Sequence, residues 1–226
     1  MKLRLLVALM ATLSFSAVMA QDTTSDKGKL SYAMGYEIGQ DITQRKLDVD
    51  LNTVIRAIQD GYAKKNPAVP EADMRAALEA MQQRLMEQAK AEFERVAAEN
   101  KAKSDQFLAA NRSKQGIQTL PSGIQYRVID QGAGPQPTAN SSVEIHFRGS
   151  LSTGQEFAST YTGNQAVTMQ VSAAPIKGMQ EVLLLMKAGS RWEVFLPPDM
   201  AYGDSARSPI GPSQAVVFDI KLVSVK

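Results

Sequence analysis

No cysteine occurs among the 226 residues, and histidine and tryptophan occur once each. The missing thiol excludes disulfides and any lipid-bearing cysteine near the start, so stability must come from core packing and assembly. A lone histidine without cysteine is a poor metal centre, and His146 reads as a surface strand residue. Charge of one sign is missing too. The formal net charge is +2, and it falls to zero once Lys2 and Arg4 leave with the leading segment. Such a chain has no electrostatic footprint for nucleic acid or anionic lipid. Long apolar runs are confined to the beginning, where Leu5 to Ala11 is continued by Leu13 to Ala17. Basic Lys2 and Arg4 precede this run, and the small residues of Val18-Met19-Ala20 follow it before polar Gln21. That is the pattern of a signal peptide spanning residues 1–20. The run is too short for a spanning helix, so an exported chain without a membrane span is expected.

What remains, about 200 residues, could form one domain or two; the pattern favours two. From Asp22 to Ala110 it is helical almost throughout. Leu30, Met34, Ile38 and Ile42 share one track, with Gly35 and Gly39 beside it. Val54, Ile55, Ile58 and Tyr62 mark a second helix begun near Asp50 or Asn52 as N-cap. Pro67 and Pro70 interrupt the pattern. Pro70-Glu71-Ala72-Asp73 then opens a third helix that meets no breaker before Gly116. Some forty residues at 1.5 Å each make about 60 Å, longer than a domain of this size is wide. Its later part, 92–114, rich in Ala, Glu, Lys and Asn, is expected to be a solvated strut. Either two chains cover each other's apolar faces, or the segment is a monomeric three-helix bundle with a frayed extension.

Periodicity switches at Leu120-Pro121-Ser122-Gly123. Short alternating runs follow at Ile124–Ile129, Val143–Phe147, Ala166–Val171, Arg191–Leu196 and Val216–Val225, punctuated by glycine. One short helix, Met179–Met186, sits between the third and fourth runs. Antiparallel strands with one helix on a sheet face make an α+β domain. Trp192 alternates with Val194 and Leu196 and is expected in the sheet core. Gly132-Ala133-Gly134-Pro135 is a turn, since no helix follows as a phosphate loop would require.

The stretch from Arg191-Trp192-Glu193-Val194-Phe195-Leu196-Pro197-Pro198 through Ala201-Tyr202-Gly203 and Pro209-Ile210-Gly211-Pro212 to Val217-Phe218-Asp219-Ile220 resembles the last third of an FKBP-type peptidyl-prolyl isomerase domain. It is most similar to the Mip-like (macrophage infectivity potentiator) branch. Lys29-Leu30-Ser31-Tyr32 and Glu99-Asn100-Lys101-Ala102-Lys103 extend the resemblance to nearly the whole mature chain. The resemblance implies a helical dimerisation module over 21–70, a long connecting helix over 71–115 and an isomerase domain over 116–226. It favours the homodimer through the N-terminal helices. It also implies a location outside the cytoplasm, chiefly periplasmic, with outer-membrane association or secretion as variants.

Carried over by motif, the prolyl pocket falls on Phe147, Phe157, Ile176, Tyr202, Ile210 and Phe218. Ala158, Met169 and Met179 stand at binding positions where the family has aspartate, an aromatic and the tryptophan floor. Phe147 itself replaces a common tyrosine. Isomerisation of an X-Pro bond requires tighter binding of the twisted amide than of either planar form. An apolar, aromatic site does this by desolvation, without nucleophile, metal or cofactor. The altered positions imply a looser pocket, roughly one to two orders of magnitude slower if each change costs about 1 kcal/mol. Proline-containing folding polypeptides are the implied substrates. A dimeric holdase, in which the isomerase domain is mainly a binding module, is the alternative, and the methionines at Met34, Met74, Met81 and Met179 suit adaptable recognition.

Overall fold

The computed structural model describes residues 22–226, so the expected signal segment lies outside the described residues. The chain divides into two compact units, one ending at Met81 and one beginning at Gln82.

The first unit holds α1 (Asp26–Gln44), α2 (Leu51–Tyr62) and the opening turns of α3 (Glu71–Arg112). Each start has a local cause. The Ser25 hydroxyl accepts from the Gly28 amide at 3.0 Å, and the Asp50 carboxylate accepts from the Thr53 amide at 2.7 Å. These N-caps satisfy donors that a helix cannot pair internally. Asp50 is thus the N-cap, as one of the two expected candidates. Both helices close through left-handed lysines, Lys46 and Lys64. Beyond them, Leu47 N–H donates to Ile42 O and Lys65 N–H to Asp60 O, the bonds of a Schellman motif. The apolar track of α1 is not covered inside this unit. Leu30, Met34 and Ile38 on that track are between 43% and 63% exposed.

The second unit is a seven-stranded antiparallel sheet with one short helix. Its strands are β1 (Gln118–Thr119), β2 (Gln125–Asp130), β3 (Ser142–Leu151), β4 (Glu156–Ser159), β5 (Val167–Gln170), β6 (Arg191–Leu196) and β7 (Val216–Val225). They lie in the order β1-β2-β6-β7-β3-β4, with β5 also on β3. β4 and β5 share one edge of β3, pairing with Arg148–Ser150 and Ser142–Ile145 respectively. Alternation decides the faces. Val216, Phe218, Ile220 and Leu222 are buried, whereas Val217, Asp219, Lys221 and Val223 are not. Helix α4 (Lys177–Leu183) starts two residues before the expected Met179 and buries Met179, Val182 and Leu183. It comes close because position 178 has no side chain: a Cβ there would lie 2.5 Å from Leu196 Cδ2 and 2.8 Å from Met200 O. Trp192 is buried in the core, stacked on Tyr126 at 4.6 Å.

The strut expectation fails. Along α3, Phe93, Val96, Asn100, Ser104, Phe107, Leu108 and Asn111 are partly or fully buried at helical spacing. Phe107 packs on Phe195 at 6.0 Å. Asn111 donates to the Gln125 side-chain oxygen at 3.0 Å, and Gln125 donates back to Leu108 O at 2.9 Å. Only the opposite face is solvated, where Arg95 pairs with Glu92 and Glu99, and Lys101 with Asp105. The polar residues of the inner face had suggested exposure, but they are buried because they meet backbone and side-chain polar groups of the sheet unit.

Candidate active site

Four aromatic residues converge on the core side of β3 and β7. Phe147 and Phe218 are diagonal neighbours on the two strands, Phe147 lying opposite Ile220, with ring centres 6.0 Å apart. Phe157, on β4, meets Phe218 edge-on at 5.9 Å and Tyr202 edge-on at 5.9 Å. Edge-to-face pairs align the positive rim of one ring with the negative face of another. Phe218 is 1% exposed, so it forms the back of the cluster, whereas Phe147, Phe157 and Tyr202 are half-buried.

Gly149 makes this convergence possible. It stands opposite Phe218 in β7 and Ala158 in β4, and a Cβ there would lie 2.8 Å from Phe218 and 2.9 Å from Phe157. The sequence presents it only as one of several punctuating glycines, and nothing in its neighbours marks it as the point where two rings meet. Phe147 is held by Thr160, whose hydroxyl accepts from the Phe147 amide at 2.9 Å. The Thr160 amide donates in turn to Phe147 O.

Tyr202 follows a 3-10 turn at Pro198–Met200, and the next residue, Gly203, takes a left-handed conformation with φ +69°. Burial alone pushes the Tyr202 phenol above its ordinary value of 10.0, so the hydroxyl stays a donor through neutral pH. Ile176 and Met179 are each 3% exposed in the core beneath. Met169 and Ile210 are partly buried against the same core, and Ala158 is half-buried beside Phe157. The structure therefore brings Phe147, Phe157, Tyr202 and Phe218 into direct ring contact. It sets Ile176 and Met179 in the core and leaves Met169 and Ile210 at its margin.

The outer face of the sheet is charged. Asp219 takes a two-pronged bond from Arg191 at 2.9 and 2.6 Å, and Arg148 lies 3.7 Å away. The Asp219 carboxylate raises the Arg191 guanidinium further. His146 is not a bare surface residue; its Nδ1 is 3.1 Å from the Thr160 hydroxyl and its ring stacks on Tyr161 at 5.1 Å. Among the described residues, no cluster of three or more His, Cys, Asp or Glu is placed to hold a metal ion.

Comparison with known proteins agrees with these elements. Residues 27–128 match the family described as the domain amino terminal to FKBP-type peptidyl-prolyl isomerase, and residues 134–223 match the FKBP-type peptidyl-prolyl cis-trans isomerase family. The "Outer membrane protein MIP" of Legionella longbeachae is 42% identical over 231 residues, covering 100% of this chain and 99% of that protein. The chain belongs to the FKBP-type peptidyl-prolyl cis-trans isomerases. The "Peptidyl-prolyl cis-trans isomerase Mip" of Coxiella burnetii is 35% identical, across 95% of this chain and 93% of that one. The crystal structure of FkpA from Escherichia coli superposes with a TM-score of 0.72 at 28% identity, covering 90% of this chain and 98% of that one. As an FKBP, the protein catalyses proline isomerisation on an antiparallel sheet that carries one short helix. Among the described residues, no helix is long and apolar enough to cross a membrane.

Proposed function

We propose that this isomerase works outside the cytoplasm as a homodimer, on proline-containing polypeptides during their folding. The working division is a dimerisation module over 21–70, a connecting helix over 71–115 and the catalytic domain over 116–226. The observation that carries the reading is the meeting of Phe147, Phe157, Tyr202 and Phe218 around Gly149. The planar X-Pro amide is protected by a barrier of about 18–20 kcal/mol, set by resonance between nitrogen and carbonyl. In water the planar, polar form is well solvated. Among ring edges and faces it loses that solvation, while the twisted form, with its resonance broken, loses less. Phe157, Phe218 and Ile210 hold the pyrrolidine ring. The Tyr202 hydroxyl donates to the carbonyl oxygen as it swings out of plane. Ala158 and Met179 offer no matching carboxylate or flat floor, so the pocket turns over slowly for its family.

Export is supported by the signal-like leader and by the outer-membrane name of the Legionella relative. The dimer is supported by the uncovered apolar track of α1, which a second copy would bury. The test is kcat/KM on a proline tetrapeptide for the full chain and its Tyr202→Ala variant, beside light scattering of the parent and of Ile38→Glu. A loss of less than twofold in the first, or an unchanged mass in the second, would sink the corresponding half of the proposal.

A holdase role has one supporting observation, a groove of ≈ 680 Å³ between α1 and α2 lined by Gly35, Ile38, Gly39, Ile55 and Ile58, which holds a client only where a second copy does not cover the α1 track. If Tyr202→Ala still suppresses aggregation of an unfolded client, binding there is separable from catalysis. Loss of both together would leave isomerisation as the whole function.

A further inference from the structure

We infer that Ser104 and Asn100, on α3, are positioning residues for the prolyl site: they fix the loop from Gly203 to Ser213 that carries Ile210 and follows Tyr202. The inference rests on the pocket proposed above, and it adds a control that lies outside the sheet.

Ser104 is a polar residue 1% exposed. Its hydroxyl donates to Ser213 O at 3.0 Å and accepts from the Ala215 amide at 2.7 Å. Ala215 lies just beyond the last β6–β7 pair, Leu196 with Val216. The hydroxyl thus supplies to the chain entering β7 both bonds that a neighbouring strand would otherwise provide. One turn earlier on the helix, Asn100 donates to Pro212 O at 2.9 Å. Ser213 sits in the left-handed region at φ +55°, a conformation that non-glycine residues rarely adopt. Its amide donates to Gly203 O at 2.9 Å, which ties the two ends of the loop together.

Two consecutive helical turns therefore grip residues 212, 213 and 215, while Tyr202 precedes the loop and Phe218 follows it. Without the hydroxyl, a buried N–H and a buried C=O lose their partners at once. The loop can recover them only by moving, and Ile210 and Gly203 move with it. The sheet beyond Val216 keeps its own ladder. The expected defect is therefore confined to the pocket wall.

The experiment uses the full chain with Ser104→Ala, Asn100→Ala and Tyr202→Ala, assayed on a proline tetrapeptide, with amide hydrogen exchange followed by NMR. Ser104→Ala is expected to lower kcat/KM about tenfold, equivalent to 1.36 kcal/mol of barrier. The fall should be carried by kcat more than by KM. Exchange should quicken at Ser213 and Ala215 and stay unchanged at Val143 and Ile145. Asn100→Ala keeps the hydroxyl and should give a smaller fall of the same kind, and it carries the test if Ser104→Ala does not fold. The clamp is refuted if Tyr202→Ala loses activity while Ser104→Ala loses Ala215 protection yet stays within twofold of the parent, or, where Ser104→Ala does not fold, while Asn100→Ala leaves kcat/KM unchanged. A fall carried by KM alone also refutes it. An unaffected Tyr202→Ala overturns the pocket reading itself, and the clamp's purpose with it.

Discussion

Replacing Gly149 by alanine places one methyl group where two rings converge. The added carbon would start 2.8 Å from Phe218 and 2.9 Å from Phe157. Reaching an ordinary carbon–carbon contact near 3.5 Å requires the rings to retreat by about 0.7 Å. Phe218 has nowhere to go: it is 1% exposed and fixed in the strand ladder opposite Gly149. Phe157 is half-buried on a short edge strand, so it takes most of the displacement and turns away from Tyr202. Overpacking of this kind costs about 1–3 kcal/mol, and a misplacement near 1 Å at a binding site can cost up to about 10²-fold in rate. The expected outcome is a fall of at least about tenfold in kcat/KM on a proline tetrapeptide, one decade per 1.36 kcal/mol. Thermal melting should drop by about 2–4 °C for each kcal/mol lost in a unit of this size. Gly163→Ala serves as the control, because a Cβ there meets nothing within 4 Å. If Gly149→Ala kept kcat/KM within twofold and melted with the parent, the ring cluster would not be the site.

Further expectations concern the same domain. Because burial raises the Tyr202 phenol above 10.0, the neutral hydroxyl persists past the ordinary value; kcat/KM should run flat through pH 10 and fall only above it. The linked stability is fully present below the unfolded value and is lost as pH rises through the folded one. An inflection in kcat/KM below pH 10 that Tyr202→Phe abolishes would contradict this. Gly178→Ala drives a carbon against Leu196 and the Met200 carbonyl at 2.5 and 2.8 Å. A backbone oxygen cannot yield cheaply, so urea unfolding should show a loss of about 1–3 kcal/mol. Ala158→Asp restores the polar group implied by the family resemblance and should raise kcat/KM several-fold; no gain would mean that Ala158 does not limit the rate.

Much of the architecture was legible because alternation and turn chemistry agreed. Arg191–Leu196 and Val216–Val225 are strands over the expected residues; the first is closed by Pro197, and the second buries alternate residues from Val216 to Leu222. Asp50 was legible as a cap because its carboxylate precedes an apolar helix by one residue. β4 was not read as a strand: Glu156–Ser159 is short and owes its form to pairing with β3, a partner that no local pattern names. The inner face of α3 misled for a different reason. Asn100, Ser104 and Asn111 are chemically ordinary for a solvated helix, and only the carbonyls and amides they meet make them buried. The ring partners of Tyr202 followed from motif resemblance, whereas Gly149 could be recognised only from its distances.

The position of β7 has a consequence for the order in which this protein can assemble. Strand β7 is not at an edge; it lies between β6 and β3, pairing with β3 along its length and with β6 over Val216–Lys221. Just beyond the strand, Lys226 exchanges backbone bonds with Ser142 in both directions. The sheet therefore cannot close around Phe218 until residues 216–225 are present, and its key pairing joins segments far apart in sequence, a slow kind of contact to form. A chain interrupted before residue 216 would hold β3 and β6 without the strand that joins them. Synthesis through β7 is thus a precondition for the ring cluster around Phe218.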